Sequence, residues 1–401
     1  MTRFKRRMLF GGALISVILI VTGAWFYNVY FTSTANALRF AEEFSFRRMT
    51  VAQLDEQGAF RFFFVSNRNL ETDEGPLEER FGTTREDLLK FGVFDTQIQP
   101  SLGLGMLINP TEWFQNEEIT LADVRLLDQQ EFVVQLRGLV EESPYRGLLV
   151  IVHGFREAFP SALRKTAFLG HILDINAPTL VFDWPGDQGS SLRGYRRAHT
   201  VAKESGAELA RTLKLIIDEI QPEKLWLVAN SMGGQVVADA FGLLYQDAAL
   251  ADAQTEFEDV VLTAPDVDYE EFNSQFKKEI SALTRNFTVY VSSNDRALLI
   301  SRILNRGRRG GESTLDIMNP DQFEEAARVA ELVDADDELV TLIDVTPINR
   351  TRNFHNFSLE TPEFFDDLYL RLTNDVTPRS RKQYQIRTPD GKVYWVLTEG
   401  R

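Results

Sequence analysis

The chain has 401 residues, of which 44% are hydrophobic and 25% charged, and its formal net charge is −16. This composition is typical of a globular protein and not of a disordered one, and so acidic a surface argues against nucleic acid as a partner. The absence of cysteine excludes disulfides, thiolate nucleophiles and cysteine-ligated metals.

The first predicted element is an apolar helix near the amino terminus. The basic segment 3–7 (RFKRR) precedes the charge-free run Met8 to Tyr27, which is long enough to span a bilayer core of ~30 Å. Residues 1–37 are therefore predicted to be a single-pass membrane anchor, with the body of the chain on the non-cytoplasmic (periplasmic or extracellular) side. The alternative is a signal peptide cleaved near the small-residue sequence Ala35 to Ala37, which would release a secreted protein.

Residues 38–57 are predicted to form a linker or stalk helix, and residues 58–378 the main domain. Within this domain, segments 60–67 (FRFFFVSN) and 88–98 (LLKFGVFDTQI) are rich in aromatic and branched residues, which predicts strands. Segment 131–140 (EFVVQLRGLV) is interpreted as a further strand.

From residue 147 onward, continuous apolar runs alternate with amphipathic segments. Such runs are typical of strands covered on both faces, and their alternation with helices predicts a mostly parallel central sheet with helices on both faces. The acidic stretch 305–338 is an insertion that forms either a lid or surface helix. Residues 379–401 are predicted to form a C-terminal hairpin tail. The predicted strands are GLLVIVHGF, PTLVFDW, LWLVAN, DVVLTAP, NFTVYVSS and LVTLIDVT.

One serine lies where a predicted strand meets a predicted helix. In LWLVANSMGGQVVADA, residues 225–240, Ser231 is flanked by Ala229 and Gly233. A turn sharp enough to expose a serine needs small residues on both sides because the strand and helix backbones come close together. The alternative is that Ser231 merely caps the helix. The strand–turn–helix context favours the nucleophile.

A serine nucleophile requires a base and an acid that orients the base. His355 is the only histidine after Ser231, and it follows the last apolar strand of the domain. Asp295 ends the strand TVYVSSND, which fits the order serine, acid, histidine in hydrolases with such a turn. Asp266 and Asp268, at the end of the preceding strand, remain alternative acids.

The developing oxyanion needs two backbone N–H donors. The residue after the nucleophile, Met232, is predicted to supply one. The loop after LLVIV is predicted to supply the other, from Phe155 with Gly154 as the alternative. His153 is then expected to shape the pocket and not to act as the base.

Two further residues follow strand ends and are candidates for the pocket. Trp184, in FDWPGD, either forms a wall of the pocket or packs in the core. Asn230, next to the nucleophile, is expected at the pocket edge. With four histidines and no cysteine in the chain, no metal or organic cofactor is expected. The one short basic stretch, Arg302 to Arg309, is interpreted as a solvated helix end.

Six motifs in a fixed order resemble a known family. VIVHGFREAFPSALRKTAFLGHIL, LVFDWPGD, LVANSMGGQVV, LTAPDVDYEEF, VYVSSNDRALLISR and FHNF together resemble the poorly characterised bacterial α/β-hydrolases of the esterase/lipase superfamily, over roughly residues 58–375. The resemblance implies Ser231 as nucleophile, Asp295 as acid and His355 as base. The chain departs from the family pattern in having Ala229 for glycine and Asn230 for histidine.

The sequence therefore predicts a membrane-anchored α/β-hydrolase that cleaves an acyl ester, thioester or amide through an acyl-enzyme. A small-molecule or lipid-like acyl substrate and the membrane are the expected partners. Two alternatives remain open. One is a non-catalytic envelope scaffold or binding protein with the same fold, and the other is a related chemistry such as that of a lyase or haloperoxidase.

Overall fold

A computed structural model provides the structure of the protein. It describes residues 49–55, 59–98, 119–247, 250, 256–267, 271–292, 340–349, 357–373, 382–387 and 393–399. The predicted membrane anchor, the insertion 305–338, the basic stretch 302–309, Asp268, Asp295 and His355 lie outside these residues. Within the described part of the chain, no helix combines the length and hydropathy needed to cross a bilayer.

Strands make up one central sheet, and each is built from an apolar or alternating run of residues. Those that the structure describes are β1 Ala59–Leu70, β2 Phe81–Ile98, β3 Ile119–Leu127, β4 Gly147–Val152, β5 Thr179–Asp183, β6 Lys224–Asn230, β7 Phe257–Thr263, β8 Thr284–Val291, β9 Thr341–Asp344, β10 Gln383–Arg387 and β11 Val393–Leu397.

Helices fill most of the connections between these strands. In the described segments they are α1 Leu77–Arg80, α2 Gln129–Glu142, α3 Phe159–Leu173, α4 Leu192–Leu215, α5 Gly233–Tyr245, α6 Lys277–Leu283, α7 Phe357–Glu360 and α8 Pro362–Leu372. One π-helical turn, Ile216–Ile220, extends α4, and another, Phe272–Phe276, precedes α6.

The strand order is β10-β11-β9-β8-β7-β6-β4-β5-β1-β2-β3. From β11 to β1 all neighbouring strands pair in parallel, whereas β1–β2, β2–β3 and β10–β11 pair antiparallel. The prediction of a mostly parallel α/β sheet is thus confirmed. Because parallel strands share one carboxyl edge, the loops after β4, β5, β6, β7, β8 and β9 begin at the same side of the sheet.

Both faces of the sheet are covered by helices. Alternate residues of β1 serve opposite cores: Phe63 packs with α2, α4 and α5, while Phe62 and Phe64 pack with α3 and α8. Burial on both faces explains why the central strands are continuously apolar instead of alternating. The two cores hold the sheet rigid beneath its carboxyl edge, where the candidate residues lie.

Segment 131–140 was predicted to be a strand, and this prediction is wrong. It belongs to α2, whose buried residues Phe132, Leu136 and Val140 recur every four positions. The Asp128 carboxylate caps the helix by accepting the Glu131 N–H at 2.8 Å. The helical spacing and the capping side chain outweigh the strand preference of the two valines.

Residues 49–55, which fall in the predicted linker, pack against the domain. Met49 and Ala52 are buried, and the Met49 N–H donates to Asp174 Oδ1 at 2.9 Å. Gln53 forms an isolated bridge with Phe60 at the start of β1. This part of the chain therefore runs along the domain surface before β1 begins.

Candidate active site

Ser231 occupies a strained turn between β6 and α5. Its φ of +53° lies in the left-handed region that residues with a side chain rarely adopt. Three backbone hydrogen bonds fix it: the Ser231 N–H donates to Thr263 O at 2.9 Å, and the Ser231 carbonyl accepts from Gly234 at 2.9 Å and Asp266 at 3.0 Å. Such an over-determined strained serine is typical of a nucleophile held at a strand–helix junction.

Glycines let the loop after β4 touch this turn. A Cβ on Gly154 would lie 3.0 Å from Ser231 Cβ, and a Cβ on Gly233 would lie 2.5 Å from the His153 carbonyl oxygen. Ala229, which stands where the family motif has glycine, is completely buried at the end of β6. Its methyl group is thus accommodated by the core and does not enter the turn.

Backbone N–H groups beside Ser231 are available to an oxyanion. Met232 lies between Ser231 and the first residue of α5, and its N–H has no acceptor among the residues that the structure describes. The same holds for the N–H groups of Phe155 and Gly154 within the described part of the chain. Unpaired N–H groups close to a candidate nucleophile are the donors that acyl transfer requires.

Asp266 is buried next to the turn. Its backbone N–H donates to the Ser231 carbonyl at 3.0 Å, and one carboxylate oxygen accepts the Tyr195 hydroxyl at 2.7 Å. The Tyr195 ring also contacts Phe155 edge-on, with centroids 5.6 Å apart. Tyr195 therefore links the alternative acid to the loop that carries the candidate oxyanion donors.

Hydrogen bonds bring the segments that flank Asp295 and His355 to this edge of the sheet. The Asn230 amide donates to Ser358 Oγ at 2.8 Å and to Thr263 Oγ1 at 3.0 Å. Ser358 comes three residues after His355 in the sequence, and Ser292, which accepts from Asn349 Nδ2 at 2.8 Å, comes three before Asp295. Described residues that flank the two segments in the sequence thus lie close to the carboxyl ends of β6, β8 and β9.

His153 is the first residue of the loop after β4, and it packs against Trp184, the first residue after β5. Their rings stack with an interplanar angle of 7° and centroids 5.6 Å apart, and the Trp184 indole N–H donates to the His153 carbonyl at 2.8 Å. Trp184 is fully buried and His153 nearly so. Together these contacts link the start of the loop after β4 to the start of the loop after β5.

Asp183 connects this pair to a buried arginine. Its carboxylate accepts from Arg68 Nε at 2.8 Å and contacts His153 Nε2 at 3.1 Å. Burial raises the pKa of the Asp183 carboxyl. The Arg68 guanidinium and the His153 imidazole lower it by a larger amount, so the pKa lies below its usual value. Asp183 is therefore ionised at neutral pH.

No cluster of three or more metal-ligating side chains occurs in the described segments. The residues gathered at this edge are a hydroxyl, an amide, a carboxylate and several backbone N–H groups. This set can carry out nucleophilic attack and stabilise an anion.

Comparison with protein families identifies this architecture. The family described as α/β-hydrolase of unknown function (DUF900) matches residues 128–364, more than half of the chain. The chain belongs to the DUF900 family of α/β-hydrolases. The matched range begins just before α2 and includes the turn at Ser231.

Two other comparisons were made with this chain, one with curated proteins and one with solved structures. No curated protein matches it. Among solved structures it is similar to a thermophilic esterase from the Planctomycetes species Thermogutta terrifontis with propionate bound, at 12% identity and a TM-score of 0.28, over 56% of this chain and 83% of that one. The same esterase with butyrate bound matches at 12% identity and a TM-score of 0.28, over 58% and 85%. TM-scores this low carry no argument about the site.

The sequence did not predict several residues that the structure places at or near this edge of the sheet. Tyr195 and Ser358 carry no motif that marks them, because their partners are distant in the chain. Arg68 did leave a signal: it is a charged residue near the end of the apolar strand FRFFFVSNRNL, and full burial of a guanidinium demands several partners.

Proposed function

We propose that the protein is a serine hydrolase that cleaves an acyl ester, thioester or amide, with a carboxylic ester as the most favoured substrate. The main observation in support of this proposal is the strained conformation of Ser231, which lies close to Gly154 and just before the start of α5. Membership in an α/β-hydrolase family supports the reaction class.

In the proposed mechanism, His355 accepts the proton of the Ser231 hydroxyl as the oxygen attacks the carbonyl carbon. Asp295 orients the imidazole and stabilises its cation. The N–H groups of Met232 and Phe155 stabilise the oxyanion. His355 then protonates the leaving group, and water, activated by the same histidine, releases the acyl group from Ser231.

We further propose that residues 1–37 anchor the enzyme to a membrane, with the hydrolase domain on the non-cytoplasmic side. The basic segment 3–7 and the charge-free run that follows it support this location. Such an anchor would bring the catalytic edge close to lipid-like acyl substrates.

A fluorophosphonate probe tests the central proposal because it phosphonylates activated serines only. Wild-type protein is expected to be labelled at Ser231, as mapped by mass spectrometry of the modified peptide. Absence of labelling in folded wild-type protein would contradict the hydrolase and favour the scaffold interpretation.

The pH profile tests the base. Because His355 accepts a proton, kcat/KM for a short-chain ester is expected to fall about tenfold per unit as the pH drops below ~6.5. Asp183 has a depressed pKa in the folded state, so its contribution to stability is present above its unfolded pKa of ~3.9 and is lost only as the pH falls through the lower folded value. Loss of activity near 6.5 is thus separate from acid destabilisation through Asp183. A rate that is constant between pH ~5 and ~8 would contradict a histidine base.

A further inference from the structure

An ion pair is completely buried beneath the loop after β4. Arg68 is 1% exposed and Asp183 is 0% exposed. The guanidinium also donates to the carbonyl oxygens of Trp184 and Glu157, each at 2.7 Å, and of Gly82 at 3.2 Å. A buried ion pair is seldom a net source of stability, since desolvation offsets the attraction. Its contacts indicate a different role, because Glu157 belongs to the loop that carries Phe155.

His153 extends this ion pair to the peptide group that precedes Phe155. Its Nε2 contacts the Asp183 carboxylate at 3.1 Å, and its Nδ1 lies 2.9 Å from the Gly154 carbonyl oxygen. A carbonyl oxygen only accepts hydrogen bonds, so Nδ1 is the donor. The imidazole therefore donates to the loop through Nδ1, while its Nε2 lies between the Asp183 carboxylate and the Trp184 backbone N–H, which is 3.2 Å away.

The Gly154 carbonyl and the Phe155 N–H belong to the same peptide unit. The described chain contains no cis peptide bond, so the two groups point in opposite directions and turn together. The His153 hydrogen bond fixes the carbonyl and thereby fixes the direction of the Phe155 N–H. The Gly154 N–H belongs to the preceding peptide unit, whose carbonyl, that of His153, accepts the Trp184 indole N–H at 2.8 Å.

We propose that Arg68, Asp183 and His153 form a positioning relay that orients the Phe155 N–H as an oxyanion donor. This inference rests on the proposed hydrolase function. Arg68 fixes the loop at Glu157 and His153 fixes it at Gly154, so the donor lies between two anchored carbonyl groups. The relay acts on the Phe155 N–H, whereas Trp184 holds the peptide unit that carries the Gly154 N–H.

Two substitutions at His153 test the relay. His153→Phe keeps a ring to stack on Trp184 but removes the Nδ1 donor, whereas His153→Asn places an amide N–H close to the position of Nδ1. Removal of an oxyanion donor typically costs 10²–10³-fold in kcat, and misorientation is expected to cost about 10–100-fold. For H153F we expect that loss in kcat, with KM changed less than about threefold, and we expect H153N to recover most of it.

Tyr290→Phe supplies the matched control for the loss of a buried hydrogen bond. The Tyr290 hydroxyl donates to the Asp367 carboxylate in a separate buried cluster beneath α8, so Y290F is expected to lower the thermal midpoint without altering kcat. Binding of a boronic acid, which mimics the tetrahedral intermediate at Ser231, should weaken in H153F in parallel with kcat. Equal kcat losses in H153F and H153N, or unchanged boronic acid affinity in H153F, would overturn the relay. Fluorophosphonate labelling of the wild type distinguishes these results from failure of the hydrolase proposal itself.

Discussion

Ser231→Ala is expected to abolish fluorophosphonate labelling and to lower kcat for a short-chain ester by roughly 10⁶-fold, to the level of the remaining binding and oxyanion contributions. The reason is that the substitution removes the attacking oxygen while leaving the backbone of the turn in place. The three hydrogen bonds that hold the turn are all made by backbone atoms, so alanine should retain them. The free energy of unfolding should change by less than about 1 kcal/mol.

Ser190→Ala is the matched control. Ser190 is exposed in the loop after β5, near the same edge of the sheet, and its replacement should leave labelling and kcat unchanged. Labelling that persists in S231A would place the nucleophile elsewhere. Loss of labelling together with a large decrease in the free energy of unfolding would indicate a structural role for the hydroxyl. Urea denaturation of both variants measures this free energy.

Substitution of the two candidate acids is expected to have very unequal effects. Asp295→Asn should lower kcat by roughly 10⁴-fold, because an amide cannot hold the catalytic imidazole in the correct tautomer. Asp266→Asn should have a much smaller effect, since the amide oxygen of asparagine can still accept the Tyr195 hydroxyl. Steady-state kinetics of the two variants with the same ester measure the difference.

Tyr195→Phe shows whether Asp266 acts only through that hydrogen bond. It removes the hydrogen bond that an asparagine at position 266 can still accept, so Y195F and D266N should each lose only a modest amount of activity. A 10⁴-fold loss in D266N, with little loss in D295N or Y195F, would make Asp266 the acid. In that case the acid would be the residue that follows β7 and not the one that follows β8.

The sheet was predictable because its strands are encoded locally. Continuous apolar runs such as GLLVIV are buried on both faces in the structure, as the pattern requires. The turn at Ser231 was also visible, since close approach of a strand and a helix demands small residues. These features depend on neighbouring residues alone, and the order of the motifs supplied the rest of the fold.

Features that depend on distant partners could not be predicted. Segment 131–140 contains strand-forming valines, and its helical spacing became decisive only with the Asp128 cap and the core against which it packs. The partners of Arg68 lie 14 to 116 residues away in the sequence. No local pattern can indicate which carbonyl groups a buried guanidinium will reach.

The pairing of β9 has a consequence for the carboxyl-terminal part of the chain. β9 is four residues long and is bordered by β8 on one side and β11 on the other. Without β11, this short strand would become an open border of the sheet with unpaired backbone groups. The last hairpin therefore covers one side of β9, the strand that precedes the proposed base His355 in the sequence, so truncation of this hairpin is expected to destabilise β9.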